Sequence, residues 1–309
     1  MEESIIAEEM AINILQTVLE AFICSYYTFI LVTIATSREK VFCSAFYILF
    51  VSTGIADITS LLLLFVLRLN TELSMGTEFR YIILYCIIFS RAAYLGHMIG
   101  NTFITFNRYS SICMMHMYGK IWKRRNVSVI IFAQYAVSIV AVAYTAKSNI
   151  LYSQNEDGTY KFQGLEPHVA KIVGSTSSTI AAVCSLTSLV FNVKLYVAWR
   201  NLLRERDRST TRNAEKGLLM YALAAFTVMM VMSTGDALFT VASTTENREL
   251  FRWINDRIFW INDFMVAVPP IFLLLLSSDL RRAILSIFRP PKPPTFVAPV
   301  SRRRGEAFV

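Results

Sequence analysis

Few residues in this chain could do chemistry, and those that could are embedded in apolar sequence. Asp57, Arg91, Asp236 and Asp263 each fall inside a long hydrophobic stretch, with Tyr94, Asn101 and Asn262 close by. An ionisable side chain at the centre of a hydrocarbon slab costs about 3 kcal/mol or more, so each is expected to face a wet cavity or a partner. The chemistry they offer is binding and charge pairing. The 3 histidines, His97, His116 and His168, are scattered; there is no HExxH, no GxSxG and no cysteine pair at metal spacing, which argues against a membrane enzyme. No metal or other cofactor is expected. A second group, Asn107, Arg108 and Tyr109, closes a hydrophobic stretch and opens a basic run through Lys120, Trp122, Lys123, Arg124 and Arg125. An arginine there can meet a protein partner, or can do no more than mark the positive end of a span.

Long apolar helices are needed to hold these groups. Of 309 residues, 55% are hydrophobic and 17% charged, with a mean hydropathy of +0.48, which is too apolar for one water-soluble core. A helix that crosses a hydrocarbon core of roughly 30 Å needs about 20 mostly apolar residues. Seven windows qualify, near 13 to 36, 42 to 67, 80 to 107, 126 to 146, 168 to 199, 216 to 244 and 253 to 277. The expected fold is an all-α membrane protein, a seven-transmembrane helix bundle. Glu2, Glu3, Glu8 and Glu9 stand where a cleavable signal peptide would be positive. The first span is therefore expected to act as the insertion signal, and residues 1–12 to form a short extracellular N-terminus.

Lysine and arginine set the orientation. With the N-terminus outside, the inner segments hold Arg38 and Lys40, then Arg108 to Arg125, Arg200 to Lys216, and a tail with Arg281, Arg282, Arg289, Lys292 and Arg302 to Arg304. The outer segments hold fewer cations, Arg68, Arg80, Lys147, Lys161, Arg248, Arg252 and Arg257, mixed with carboxylates. This is the positive-inside pattern. It also accounts for the net charge of +8 without nucleic acid, since cations in short loops face anionic lipid.

Depth along the helices suggests which charges meet. Arg91, Tyr94, Met98, Asn101, Thr105 and Arg108 recur in steps of three and four and line one face of the third span. At about 1.5 Å per residue, Arg91 lies roughly 16 Å below the outer end, and Asp57 and Asp263 each roughly 15 Å below theirs. An Arg91 pair with Asp57 or Asp263 is the expectation. Asp57 could serve as a switch or ion site, or simply hold helices together. His97 falls off the polar face and reads as packing; Asn13, Gln16 and Glu20 read as interfacial, with a cavity-facing start to the helix as the alternative.

Residues 150 to 162 read as a β-hairpin turning at Asp157-Gly158, placed to cap a ligand cavity. The 5 cysteines, Cys24, Cys43, Cys86, Cys113 and Cys184, lie in or beside spans and read as free, packed thiols. Asn126-Val127-Ser128 matches a glycosylation acceptor but falls on the inner side. The fifth span continues as a basic extension through Arg204 and Arg208, followed by Ser209, Thr210 and Thr211, which resemble a kinase site. Pro269 and Pro270 are expected to hinge the seventh span. Beyond it, residues 278–289 form a short amphipathic eighth helix capped by Ser278 or Asp279, and 290–309 a disordered cytoplasmic tail.

Several of these motifs together resemble a known family. Asn107-Arg108-Tyr109 is similar to the (D/E)RY motif of G-protein-coupled receptors, with Asn107 where an acidic residue is usual. Phe46-Tyr47 with Ile55-Ala56-Asp57, Asn107-Arg108-Tyr109-Ser110 before Tyr118-Gly119-Lys120-Ile121-Trp122, and Pro269-Pro270 before Ser278-Asp279-Leu280-Arg281-Arg282 resemble the nematode serpentine chemoreceptors. Within them the chain is similar to the gamma superfamily, class gamma or class V. The resemblance implies a receptor in the plasma membrane of chemosensory neurons, in sensory cilia, that detects an external small molecule and activates a heterotrimeric G protein. It implies G-protein coupling through Asn107, Arg108, Tyr109, Lys120, Arg124, Arg204 and Arg208. Ligand binding or switching would fall to Asp57, Arg91, Tyr94, Asn101, Asp236, Asn262 and Asp263, with ligand between the outer halves of spans 3, 5, 6 and 7. The disulfide usual between the hairpin loop and the third span is absent, because residues 147 to 168 contain no cysteine.

Other classes fit less well. No lysine lies between Lys216 and Lys292, so an opsin would lack its Schiff-base residue. No internal repeat or pair of broken spans suggests a transporter. A seven-helix ligand-gated channel stays open as the alternative, with Arg91, Asp57 and Asp263 lining a pore or gate.

Overall fold

The computed structural model describes residues 2–73, 75–154, 160–205, 209–245 and 247–287. The chain runs α1 Glu2–Thr36, a 3-10 turn Lys40–Cys43, α2 Ala45–Glu72, a 3-10 turn Thr77–Phe79, α3 Arg80–Cys113 and α4 Met115–Ile121. It continues with α5 Arg124–Val142, a 3-10 turn Ala143–Lys147, strands β1 Ile150–Gln154 and β2 Tyr160–Leu165, α6 Pro167–Glu205, α7 Ser209–Thr244, α8 Arg248–Leu276 and α9 Ser278–Ile287. Seven of the helices, all except α4 and α9, hold a stretch long and apolar enough to cross a membrane. The chain is a multi-pass membrane protein built as a seven-helix bundle.

The spans are where hydropathy placed them, but the helices are longer. Hydropathy marks only the apolar stretch, whereas the backbone goes on bonding to itself through polar turns. α6 has 39 residues, so it is about 58 Å long, nearly twice the hydrocarbon thickness. α3 does not close at residue 107; it runs to Cys113, so Arg108 lies more than a turn inside the helix end. The basic run beyond it is not a plain loop, since Met115–Ile121 folds as α4. α1 reaches back to Glu2, ahead of the apolar stretch that begins at Ala11.

Local sequence explains the helix ends. Pro167 opens α6, where its missing amide proton costs nothing. Asn247 caps α8 by accepting from the Leu250 amide at 3.0 Å. α9 is capped by Ser277, whose Oγ accepts from the Leu280 amide at 3.2 Å, one residue earlier than expected. α8 runs unbroken through Pro269 and Pro270, and Tyr26 of α1 donates to the Pro270 carbonyl at 3.4 Å.

The hairpin forms with Tyr152 opposite Phe162 and Ile150 opposite Leu165. Its second strand runs three residues past the expected end, to Leu165. The register slips between Leu151 and Tyr152, where Gly164 takes a φ of +114°, a left-handed value that favours glycine at a bulge. The Asp157-Gly158 turn and the 290–309 tail lie outside the described residues.

Close helix approach brings the polar groups together. A Cβ on Gly54 would lie 2.8 Å from Leu31 Cδ2 and 2.9 Å from Tyr27 Oη, so glycine lets α1 touch α2. At Gly100 the Cβ would lie 2.2 Å from Thr53 Oγ1 and 2.7 Å from Gln134 Nε2, where α2, α3 and α5 meet. The outward face is apolar: Phe132 and Val140 are each 74% exposed, a state that lipid contact satisfies and water would not. All five cysteines are free; Cys86 and Cys184 are buried, whereas Cys43 is exposed rather than packed.

Candidate functional site

In the orientation that the charge pattern predicts, a cavity of about 70 Å³ lies in the outer half of the bundle. Its wall is built by Ser60 of α2, Arg91 and Tyr94 of α3, Asp236 and Phe239 of α7, and Asn262 of α8, with isoleucines of α8 closing one side. Arg91 Nη1 donates to Asp236 Oδ1 at 2.9 Å. This corrects the expected pairing: neither Asp57 nor Asp263 is the partner. The Arg91 guanidinium also stands 5.1 Å from the Phe239 ring centre. Ser178 of α6 donates to Asp236 Oδ2 at 3.2 Å and shares a 2.7 Å hydrogen bond with Thr240, so α3 and α6 both hold the α7 carboxylate. Among the described residues, the hydroxyl of Tyr94 and Nδ2 of Asn262 are buried without a hydrogen-bond partner, while Asn262 Oδ1 accepts from Ser60 at 2.9 Å. Among the described residues none of the hairpin lines the cavity, and α6 supports the ion pair without forming its wall.

Asp57 anchors a second network nearer mid-membrane. Its Oδ1 lies 2.5 Å from His97 Nδ1, and its Oδ2 accepts from the Tyr27 hydroxyl at 2.9 Å. Asn101 Nδ2 is 2.9 Å from His97 Nε2, and also donates to the His97 carbonyl at 3.2 Å. A donor on Nε2 leaves the imidazole proton on Nδ1, aimed at the carboxylate. His97 is therefore not a packing residue but the partner of Asp57, fully buried with it. The signals were its position one turn above Asn101 and the rule that an intramembrane ionisable group has a partner.

The miss has a geometric cause. α2 ends at Glu72, not 67; counted from there, Asp57 lies about 22 Å down, against about 16 Å for Arg91 and about 26 Å for His97 below Arg80. Asp236 lies about 12 Å below Thr244, which matches Arg91 better.

A third network corrects the interfacial reading of α1. Glu20 is buried and paired with Arg68, an outer-loop cation by sequence that is in fact buried inside α2. Arg68 also donates to the Asn13 carbonyl at 3.1 Å and to Thr17 Oγ1 at 3.0 Å. Asp263 accepts from Gln16 Nε2 at 2.9 Å, which ties α8 to α1. Pro269 and Pro270 are buried below it on α8.

At the inner end, Arg108 is half-buried, and its guanidinium stands 3.6 Å from the Phe46 ring centre. Tyr221 of α7 packs edge-on against the same ring at 5.6 Å. Among the described residues no carboxylate pairs with Arg108, and its Nε has no hydrogen-bond partner. Asn107 is buried and donates to the Tyr118 hydroxyl at 3.3 Å, Tyr109 stacks on Phe191 at 5.3 Å, and Trp122 Nε1 donates to Ser110 Oγ at 2.7 Å. α4 is thereby clamped under α3. Lys120 and Arg124 are exposed. Arg208 lies outside the described residues, as does the side chain of Arg204.

A bundle of seven apolar helices, with a largely apolar cavity that holds an ion pair toward one end and, toward the other, an arginine that no carboxylate among the described residues pairs with, has the construction of a seven-transmembrane receptor. Residues 16–289 match the family described as Serpentine type 7TM GPCR chemoreceptor Srv. The chain belongs to that family of nematode serpentine chemoreceptors, and of the two classes left open by its motifs the match is to class V. The family is one of receptors, not a known enzyme family. No curated protein shows a significant match to the chain.

Proposed function

We propose that this chemoreceptor binds an external small molecule at the Arg91–Asp236 cavity and activates a heterotrimeric G protein through the face around Arg108, at the plasma membrane of a sensory neuron. One observation carries the reading: α7 is tied to α3 toward both ends, directly at the outer one and through Phe46 of α2 at the inner one. Asp236 holds Arg91 toward the outside. Tyr221, fifteen residues away on α7 and so about 22 Å further in, packs on the ring that carries Arg108. A ligand that engages the outer pair differently in two states shifts the balance between them, and a rigid α7 transmits that shift to Tyr221. Movement of Tyr221 off Phe46 frees the guanidinium for a partner. The tails of α3, α6 and α7, with Lys120, Arg124, Arg204 and Arg208, then supply the surrounding positive charge. Asn107 bonds to Tyr118, so restraint of the resting state rests on packing and not on a local ion pair.

The test is nucleotide exchange on a G protein by purified receptor in lipid nanodiscs. Arg108→Ala should reduce exchange at least about tenfold while surface expression stays within about twofold of the parent, because no carboxylate among the described residues pairs with the arginine. Full exchange by Arg108→Ala would remove the assignment.

A further inference from the structure

Outside the cavity, on the lipid-facing side of α7 and α8, lies a groove of about 340 Å³ lined by Met230, Val231, Thr234, Leu238 and Trp253. Gly235, Ile254 and Ile261 line both spaces, so the groove and the cavity adjoin through one thin wall. Glycine keeps that wall open: among the described residues a Cβ on Gly235 would meet Ile261 Cδ1 alone, at 3.8 Å. The groove is almost wholly apolar and open to hydrocarbon. The cavity is small and its lining is also mostly apolar, but it includes Tyr94 and Asn262, whose hydroxyl and Nδ2 are buried and lack partners among the described residues.

We propose that the ligand is a neutral amphiphile that enters from the bilayer between α7 and α8, seats an uncharged hydrogen-bond acceptor such as an ester, ketone or lactone on Tyr94 and Asn262, and leaves its apolar chain in the groove. This deepens the ligand-site reading above and rests on it. Neutrality follows from charge: Arg91 and Asp236 already cancel at 2.9 Å. An added carboxylate would lie beside the Asp236 carboxylate, and an added ammonium would lie beside Arg91, each at a desolvation cost that the apolar walls do not offset. An acceptor instead bonds to both donors. Burying a donor without a partner is unfavourable, so Tyr94 and Asn262 favour the uptake of such a group. The cavity's 70 Å³ admits a small polar head and excludes a phospholipid headgroup, while the groove suits an aliphatic chain.

The experiment uses the full-length receptor in phosphatidylcholine nanodiscs and three photoreactive probes with the same octyl-length chain carrying a terminal diazirine, headed by a methyl ester, a carboxylate or an amine. Crosslinks are mapped by peptide mass spectrometry. The ester probe should label residues 230–238 and 253–261 about tenfold more than the acid or the amine. Labelling should fall about fivefold on Tyr94→Phe, the cost of one buried hydrogen bond. It should fall about tenfold on Gly235→Leu, which fills the doorway. Thermal unfolding of both variants within a few degrees of the parent shows that folding is intact. Two results overturn the proposal but leave the outer-cavity reading standing: preferential labelling by the charged probes at the same residues, or loss on Tyr94→Phe with no effect of Gly235→Leu. Labelling absent, or insensitive to head group and to both substitutions, overturns the proposal and removes its support for the cavity as the ligand site.

Discussion

Replacing Asp57 with leucine removes a carboxylate that two donors share deep inside the bundle. The Asp57 and His97 side chains are 0% and 1% exposed, and Tyr27 donates to the second carboxylate oxygen at 2.9 Å. Interhelical hydrogen bonds in membrane proteins contribute about 0.6 kcal/mol on average because the unfolded chain also finds partners. Charge-assisted bonds are about twice as strong, so the two bonds to Asp57 together contribute roughly 2.4 kcal/mol. The substitution also strands the His97 Nδ1–H and the Tyr27 hydroxyl, which brings the expected loss to about 3 kcal/mol. The assay is reversible unfolding in mixed micelles, read as ΔΔG for the single, double and triple variants. Combining Asp57→Leu with Tyr27→Phe and His97→Phe removes both donors to the carboxylate, while Asn101 loses its contact to the ring but keeps its 3.2 Å bond to the carbonyl of residue 97. The triple variant should therefore cost less than the sum of the three single losses by about 2 kcal/mol. Additivity to within about 0.5 kcal/mol would show that these side chains do not act as a unit and would refute the network.

Exchanging the charges at the outer pair is the next expectation. Asp236→Ala leaves the partly exposed Arg91 without its carboxylate and should lower stability by about 1 to 2 kcal/mol after allowance for that exposure. Arg91→Asp with Asp236→Arg should recover most of the loss in surface expression; a swap no better than either single change would argue against the pair. At Gly100, valine should destabilise by about 2 to 3 kcal/mol through overpacking against Thr53 and Gln134. Alanine at Gly119, where nothing lies within 4 Å, should stay within about 0.5 kcal/mol by the same unfolding assay. Glycosylation-acceptor tags at residue 1, in the 147 to 168 loop and after Val309 should be modified at the first two sites only. The reverse pattern would put Arg108 outside the cell and promote the channel reading.

Some of this protein was determined by its sequence alone. A window of about 20 apolar residues has one stable state in hydrocarbon, the helix, because every backbone amide must be satisfied within the segment. The seven spans, the amphipathic α9 after the last of them and the paired strands β1 and β2 were therefore legible, since each depends on local sequence pattern. So was the choice of Asp57, Arg91, Asp236 and Asp263 as groups needing partners, because the cost of an unpaired charge does not depend on the fold. Which partner each takes was decided only in three dimensions. Pairing depends on helix ends, and hydropathy does not see the polar turns that carry α2 on to Glu72 and α3 to Cys113. It depends also on rotation and close approach, set at Gly54 and Gly100, which bring Tyr27, Thr53 and Gln134 against neighbouring helices. An error of five residues along α2 shifts depth by about 7 Å, more than a hydrogen bond can span. For that reason Arg91 met Asp236, His97 met Asp57, and Glu20 met Arg68.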